Sequence, residues 1–470
     1  MQQREKFASR LGFILISAGC AIGCGNVWKF PWMTGQYGGG GFVLIYLLCL
    51  IVLGLPCMVM EFALGRASQK SPVNMYKKLE KPGQKWHLHG YVALFANFCL
   101  MAFYTVVTGW MVYYFYKFAA GQSAGLSFVG MISDWKINVL FMLVAVVLGF
   151  AVLCFKLQSG LEKVTKVMML ALLVLLLALA VRGFTLGKAA EGLKFYLVPS
   201  MAKMKENGFL NVVVGAMNQA FFTLSIGIGS MAIFGSYIGK ERSLMGESIT
   251  IIALDTFVAI VSGLIIFPAC FTYNGGNVNA GPGLLFDTMA TVFNKMNNGR
   301  IWGTIFFLFM VFAAFSTVLS VFENILACTR EIIDEARIKK ASKQGISEED
   351  VKPIGRPLAC LICGTIVATM SITTALGFNK WSGFVPFAEG TCFLDFWDFI
   401  VSTNMLPLGA LIISLFCCHK FGWNWDNFVA EANAGKGLKV KNWMKPLFCY
   451  IVPVVVIALY IYGMITFAWK

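Results

Sequence analysis

Between Ala18 and Pro31 the chain reads Ala18-Gly19-Cys20-Ala21-Ile22-Gly23-Cys24-Gly25-Asn26-Val27-Trp28-Lys29-Phe30-Pro31, with three glycines at the centre of a hydrophobic run long enough to cross a bilayer. A helix in lipid pairs its own backbone groups, and a stretch that leaves helical geometry is tolerated only where it is buried in protein or lines a polar cavity. The segment is therefore expected to unwind inside a bundle and to border a binding site.

The rest of the chain supplies the bundle. With 58% hydrophobic and 13% charged residues and a mean hydropathy of +0.73, its 470 residues exclude an ordinary soluble globule. Apolar runs of about 20 residues place eleven spans near 10–36, 41–64, 88–116, 136–155, 163–183, 209–238, 246–272, 301–328, 357–377, 391–417 and 446–468. The first is too long, and too interrupted by polar positions, for a cleaved leader. The net charge of +15 sits in the loops and reads as an orientation signal rather than a nucleic-acid surface. A cytoplasmic N-terminus puts most Lys and Arg inside, the C-terminus outside, and the protein in the plasma (inner) membrane. The loop from Arg330 to Arg356 carries both signs and reads as a solvated connector. Most of the 14 cysteines lie within spans, where thiols behave as small apolar groups. Cys360 and Cys363 have CxxC spacing in an apolar run without a second motif, so neither a disulfide nor a metal site is indicated. His87, His89 and His419 fall at span ends and read as surface residues.

A second interruption, Asn218-Gln219-Ala220-Phe221-Phe222-Thr223-Leu224-Ser225-Ile226-Gly227-Ile228-Gly229-Ser230, falls in the sixth span. One glycine-rich span reads equally well as close helix packing. Two breaks five spans apart instead describe two five-helix units, and an odd number of helices per unit makes the repeat inverted. Paired discontinuous helices in corresponding positions point to a secondary-transporter site at the bilayer midplane. Half-helix N-termini there favour a carboxylate, and freed carbonyls can hold a small cation.

These two segments, together with Arg10-Leu11-Gly12-Phe13, Gly38-Gly39-Gly40-Gly41-Phe42 and Glu61-Phe62-Ala63-Leu64-Gly65-Arg66, resemble the neurotransmitter:sodium symporter family, specifically its bacterial eleven-helix amino-acid transporters. The resemblance spans essentially the whole chain. It implies an all-α polytopic membrane protein with a LeuT-like 5+5 inverted repeat (about 10–183 and 209–417), broken helices 1 and 6, and an accessory helix 446–468. Residues 1–470 then form a single transmembrane transporter domain, and not an enzyme.

By the same resemblance, two Na+ sites are implied, and hard cations call for oxygen ligands. The first would use Ala21, Asn26, Thr223 and Asp255, completed by the substrate carboxylate. The second would use Gly19, Ile22, Ala313, Ser316 and Thr317. An intramembrane carboxylate such as Asp255 is costly and a functional candidate by default. Many relatives carry Asn at this position, and chloride-dependent ones carry Ser where this chain has Ala259. Asp255 is thus expected to supply the charge itself, so no chloride is expected.

The implied substrate pocket comprises Ala21, Gly23, Cys24, Gly25, Leu100, Tyr104, Phe222, Thr223, Ser225, Ile228, Thr317, Ser320 and Val321. Monoamine-transporting relatives carry Asp where this chain has Gly23, so an α-amino acid is favoured over an amine, and the apolar far end favours a neutral hydrophobic or aromatic side chain. Lys29 and Asp398, with Phe103 and Phe222 beneath them, match the outer gate, and Asp395 is a competing partner for Lys29. Arg4 and Glu331 match the inner gate, with Phe7 where relatives often carry Trp. In helix 5, Gly160 is followed ten residues on by Leu170, where some bacterial members have Pro. The expected function is Na+-coupled uptake of neutral L-amino acids by alternating access. An amine or osmolyte carrier, or a non-transporting sensor, is the alternative. The expected partners are an amino-acid substrate and the lipid bilayer, with no nucleic acid, and the oligomeric state is left open.

Overall fold

The computed structural model describes residues 5–276 and 283–467. Among the described residues, nine helices are long and apolar enough to cross a membrane, a tenth span is a pair bent at a break, and the shorter apolar helix Phe209–Leu224 runs into a second break. In chain order these are α1 (Arg10–Ala21 with Gly25–Gln36, bent by 50°), α2 (Gly40–Ser68), α3 (His87–Ala119), α4 (Trp135–Leu153), α5 (Gln158–Phe184), α6 (Phe209–Leu224 with Ser230–Gly235), α7 (Leu244–Tyr273), α8 (Gly299–Lys343), α9 (Arg356–Gly377), α10 (Phe393–Cys418) and α11 (Asn442–Thr466). The breaks in α1 and α6 fall where the glycines predict them, five spans apart. α8 lies along α3 and also packs on α1, α5 and α4, while α1 is held between α8 and α7.

Close backbone approach explains several of the small residues. A Cβ on Gly65 of α2 would stand 1.9 Å from the Ala232 carbonyl oxygen of α6, and one on Gly235 would stand 2.5 Å from the Phe62 carbonyl oxygen. Small residues on both sides thus let α2 and the second half of α6 touch backbone to backbone.

Three sequence expectations change. α8 runs to Lys343, well past the apolar limit at 328, because nothing breaks the helix before Gly345, so half of the expected connector is a helical extension beyond the bilayer. α5 begins at Gln158, five residues before its apolar run, with one wide π-type turn around Gly160. His89 is not at the surface: it is 7% exposed, with Nδ1 2.9 Å from the Tyr76 hydroxyl, because the short helix Pro72–Leu79 folds back against α3.

On the face that carries the N-terminus, Arg66 at the end of α2 is fully buried. Its Nε donates to Glu431 Oε1 at 2.7 Å, its Nη1 donates to the Arg242 carbonyl at 2.7 Å, and its Nη2 donates to the Glu431 carbonyl. Glu431 belongs to the short helix Trp425–Ala432 between α10 and α11, and also pairs with Lys240 at 2.9 Å. One carboxylate therefore joins α2, the α6–α7 connection and the α10–α11 connection. Removing one member of such a buried pair costs about 3–5 kcal/mol, because the other charge stays buried and unpaired. Glu431→Ala is expected to lower the thermal midpoint of the purified protein accordingly, and Arg66→Met combined with Glu431→Leu to recover most of that loss.

Candidate functional site

At the break in α1, Ile22 is extended (φ −71°, ψ 102°). The backbone groups released there find partners in the Asn26 side chain and on other helices. Gly23 N donates to the Asn26 side chain at 3.0 Å, and Cys24 N donates to the Tyr104 hydroxyl of α3 at 2.8 Å. The Gly25 carbonyl accepts from Gln219 of α6 at 2.7 Å. The carbonyls of Gly19, Cys20 and Ile22 accept from Thr317 of α8 at 3.3, 3.2 and 3.4 Å.

The break in α6 is supported from two sides. Ser225 and Gly227 have φ of 50° and 95°, a left-handed geometry that glycine adopts without strain. A Cβ on Gly227 would also meet the Leu406 carbonyl oxygen of α10 at 2.2 Å. Glu61 of α2, fully buried, accepts from Gly227 N at 2.5 Å and from Met231 N at 3.0 Å, replacing the helical acceptors that the break removes. Asn97 of α3 donates to the Ile228 carbonyl at 2.8 Å.

Two clusters of oxygens follow from this geometry. In the first, the fully buried Asp255 accepts from the Asn26 amide at 2.8 Å and from the Thr223 hydroxyl at 3.3 Å. In the second, the Ser316 hydroxyl lies 3.0 Å from the Ile22 carbonyl oxygen and 2.9 Å from that of Ala313, beside Thr317 and the Gly19 carbonyl. The second set is built of carbonyl and hydroxyl oxygens, and the first brings a carboxylate and a hydroxyl beside the Asn26 amide, whose nitrogen faces Asp255 while its oxygen accepts from Gly23 N; oxygen is the donor a hard cation requires.

Between them, Ala21, Gly25, Leu100, Tyr104, Phe222, Ser225, Ile228 and Thr317 wall a cavity of about 10 Å³, the room of roughly one water molecule. A solute the size of an amino acid enters only if these walls separate. Thr223 and Cys24 are buried but do not line the cavity. A Cβ on Gly23 would stand 2.2 Å from the Tyr104 hydroxyl and 2.3 Å from that of Thr317, so no larger residue fits there in this arrangement. Ser320 and Val321 are not in the wall. The Ser320 hydroxyl turns back to donate to the Ser316 carbonyl at 2.8 Å, as isolated membrane serines commonly do. Cys20 and Leu406, absent from the expected set, complete the lining.

Above the cavity Lys29 Nζ lies 3.0 and 3.1 Å from the two carboxylate oxygens of Asp398 and 4.2 Å from the centre of the Phe222 ring. The expected competitor Asp395 is engaged elsewhere: its carboxylate accepts from Cys392 N at 2.8 Å and caps α10. Phe103 is buried beside Tyr104, and the Phe222 ring lies against the Lys29 ammonium of the ion pair. On the N-terminal face, Glu331 accepts from Ser71 N at 2.9 Å and from Asn74 at 3.1 Å, and so holds the start of the helix Pro72–Leu79. Arg4, its expected partner, lies outside the described residues. Phe7 packs edge-on against Tyr237, 5.5 Å between ring centres. A cavity of about 1320 Å³, bordered by Glu5, Tyr237, Glu323, Glu331 and Arg356, opens on this face.

Glu61, Asn97 and Gln219 support both breaks, yet no role is expected for them from the sequence. Glu61 carried a signal, as a carboxylate inside an apolar span; Asn97 and Gln219 read as ordinary polar positions on helices.

The model of the Sodium:neurotransmitter symporter family matches residues 4–123 and 118–470. An uncharacterized sodium-dependent transporter of Bacillus subtilis, YhdH, is 34% identical over 471 residues, covering 98% of each chain. Another, of Haemophilus influenzae, is 28% identical, again over 98% of each chain. The crystal structure of MhsT in complex with L-phenylalanine superposes with a TM-score of 0.85 at 32% identity, covering 98% of this chain and 99% of that one. The two relatives are named as sodium-dependent transporters and not as enzymes, and the architecture shared with MhsT is the LeuT-like fold with broken helices 1 and 6. The chain belongs to the sodium:neurotransmitter symporter family.

Proposed function

We propose that this sodium-dependent transporter carries neutral, hydrophobic or aromatic L-amino acids by symport with two Na+ ions, independently of chloride. The observation that carries the reading is the small cavity walled by Ala21, Gly25, Phe222 and Ile228, together with the two buried polar clusters, Asp255 with Asn26 and Thr223, and Ser316 with the Ile22 and Ala313 carbonyls. Gly19, Ile22, Ala313, Ser316 and Thr317 would hold one ion. Ala21, Asn26, Thr223 and Asp255 would hold the other, completed by the solute carboxylate. The apolar wall of Leu100, Phe222 and Ile228 suits a hydrophobic side chain, in line with the L-phenylalanine bound by MhsT. Gly23 leaves no carboxylate to receive a bare amine, which weighs against an amine carrier. A non-transporting sensor on the same fold would bind solute without exchanging it across liposomes.

Asp255 has an amide and a hydroxyl as partners rather than a base, and Ala259, one turn on, is buried and apolar. A charge already present in the first ion site removes the need for a bound anion. Lys29 and Asp398 act as the outer gate, and Glu331 with Arg4 as the inner one. Alternating access moves helices 1, 2, 6 and 7 against 3, 4, 8 and 9, within one transmembrane unit whose repeats cover about 10–183 and 209–417. The N-terminus is cytoplasmic and the membrane is the plasma membrane.

Three measurements test this. Competition binding of the twenty amino acids to purified protein should select neutral hydrophobic or aromatic ones, in Na+ but not in K+; an absence of Na+-dependent binding by any amino acid removes the substrate assignment. Replacing external chloride with gluconate should leave uptake into proteoliposomes unchanged, and loss of uptake overturns chloride independence. Ser316→Ala with Thr317→Val removes two hydroxyl ligands. At about 1.5–3 kcal/mol for each bond to a charged group, it should raise the Na+ concentration for half-maximal binding by more than tenfold, and it should also lower the thermal midpoint in K+, because the same hydroxyls pair the Gly19, Cys20 and Ile22 carbonyls of the α1 break.

A further inference from the structure

The connection from α10 to α11 carries Lys436, Lys439, Lys441 and Lys445 and no acidic residue between Asn433 and Pro446. All four lysines are exposed, and among the described residues none of them forms an ion pair; Lys445 lies 5.9 Å over the Trp425 ring. The preceding acid, Glu431, is engaged by Arg66 and Lys240. A preference for basic residues on one side of the membrane explains why lysines occur here, but not how they are held. The Asn433 side chain donates to the Val440 carbonyl at 2.9 Å and accepts from Val440 N at 2.7 Å. Ser243 donates through its backbone to the Lys436 carbonyl at 3.0 Å and through its hydroxyl to that of Leu438 at 2.5 Å. With Val440 only 3% exposed, the neighbouring Lys439 and Lys441 point away from the core on a backbone fixed at both ends.

The same strap exposes two large apolar side chains, Leu438 (61%) and Trp443 (69%). Trp443 lies in the first turn of α11, where a tryptophan sits at the level of lipid headgroups. Ordered lysines beside an amphipathic ring at that depth complement a surface that is negative outside and apolar beneath. The loop after α8 does not share this character, because Glu348, Glu349 and Asp350 offset its basic residues.

We propose that this strap binds the headgroups of anionic phospholipids on the membrane face that carries the N-terminus, with Lys439, Lys441 and Lys445 meeting phosphate and Trp443 and Leu438 entering the interface. The proposal rests on α11 being a membrane span and not on the solute carried. Through Ser243 and the Arg66–Glu431 pair, lipid held here is tied to α2 and to the α6–α7 connection.

Lipids brominated in the acyl chain provide the test, in vesicles of phosphatidylcholine with a variable fraction of phosphatidylglycerol. The difference in fluorescence between the full-length protein and its Trp443→Phe variant isolates the signal of Trp443. Brominated phosphatidylglycerol should quench it at a lower mole fraction than brominated phosphatidylcholine. At about a factor of five per lysine near a charged surface, Lys439→Gln with Lys441→Gln should reduce that preference about 25-fold while retaining Na+-dependent thermal stabilisation as a check of folding. Equal quenching by the two lipids, or a preference unchanged in the double variant, overturns the proposal. So does loss of the preference on adding soluble glycerol phosphate, which would mark a site for free anions rather than for lipid.

Discussion

The unpaired backbone of the α1 break is the constraint on which the rest of this structure depends. A buried amide without a partner costs on the order of 1–3 kcal/mol by mutational measures, and the break releases several within a few residues. Their partners come from separate helices: Tyr104 from α3, Gln219 from α6, Ser316 and Thr317 from α8. Helices far apart in the chain are thereby drawn to one point at mid-membrane. The pairing is also exchangeable. Serine and threonine hydroxyls donate to the carbonyls of Gly19, Cys20 and Ile22, and the same oxygens can turn their lone pairs toward a cation. What stabilises the break without an ion is thus the ligand set that would hold one.

The two faces of the bundle near the proposed gates are built by unlike means. On the Asp398 side a single lysine spans the gap, with an aromatic ring below it. Lysine is a point charge and lacks the planar fork that would fix a bidentate geometry, and Asp398 remains 34% exposed, so solvent and salt weaken the contact. On the N-terminal face closure is distributed over Glu5, Tyr237, Glu323, Glu331 and Arg356 around a wide cavity. If these two ends act as the proposed gates, a partly exposed outer contact would be the cheaper one to break, and differential binding of solute and ions could shift the balance between states.

How much of this was legible follows from the physics of each signal. The spans and both breaks could be read because lipid forbids unpaired backbone, so glycines and hydroxyls in an apolar run stand out. The ends of α8 and α5 could not, since hydropathy marks the bilayer limit and not the end of the helix. Gln219 and Asn97 were hidden because a polar side chain in a membrane helix ordinarily bonds to its own preceding turn, as Ser320 does; only packing shows which ones reach across. Asp395 and His89 misled for the opposite reason. A carboxylate near Lys29 and a histidine near a span end look available, but one caps α10 and the other is covered by the helix Pro72–Leu79.

On the proposed reading, Asp255 would give the site an order of events. Unit charges 4 Å apart interact by about 4 kcal/mol at the effective dielectric of a partly wetted site, so a carboxylate beside Asn26 and Thr223 favours a cation before any solute arrives. Where an amide holds that position, the solute carboxylate or a bound anion must supply the charge. With Asp255, the cation can settle first, fix the Asn26 turn and the start of the α6 break, and so present the small cavity in a shape that a zwitterion completes. The proposed solute would then add its own carboxylate to a site already neutral, and selection would fall to the apolar wall. The methylene-scale differences that such a wall can read are worth about 1–3 kcal/mol each, which favours a group of related side chains over a single one.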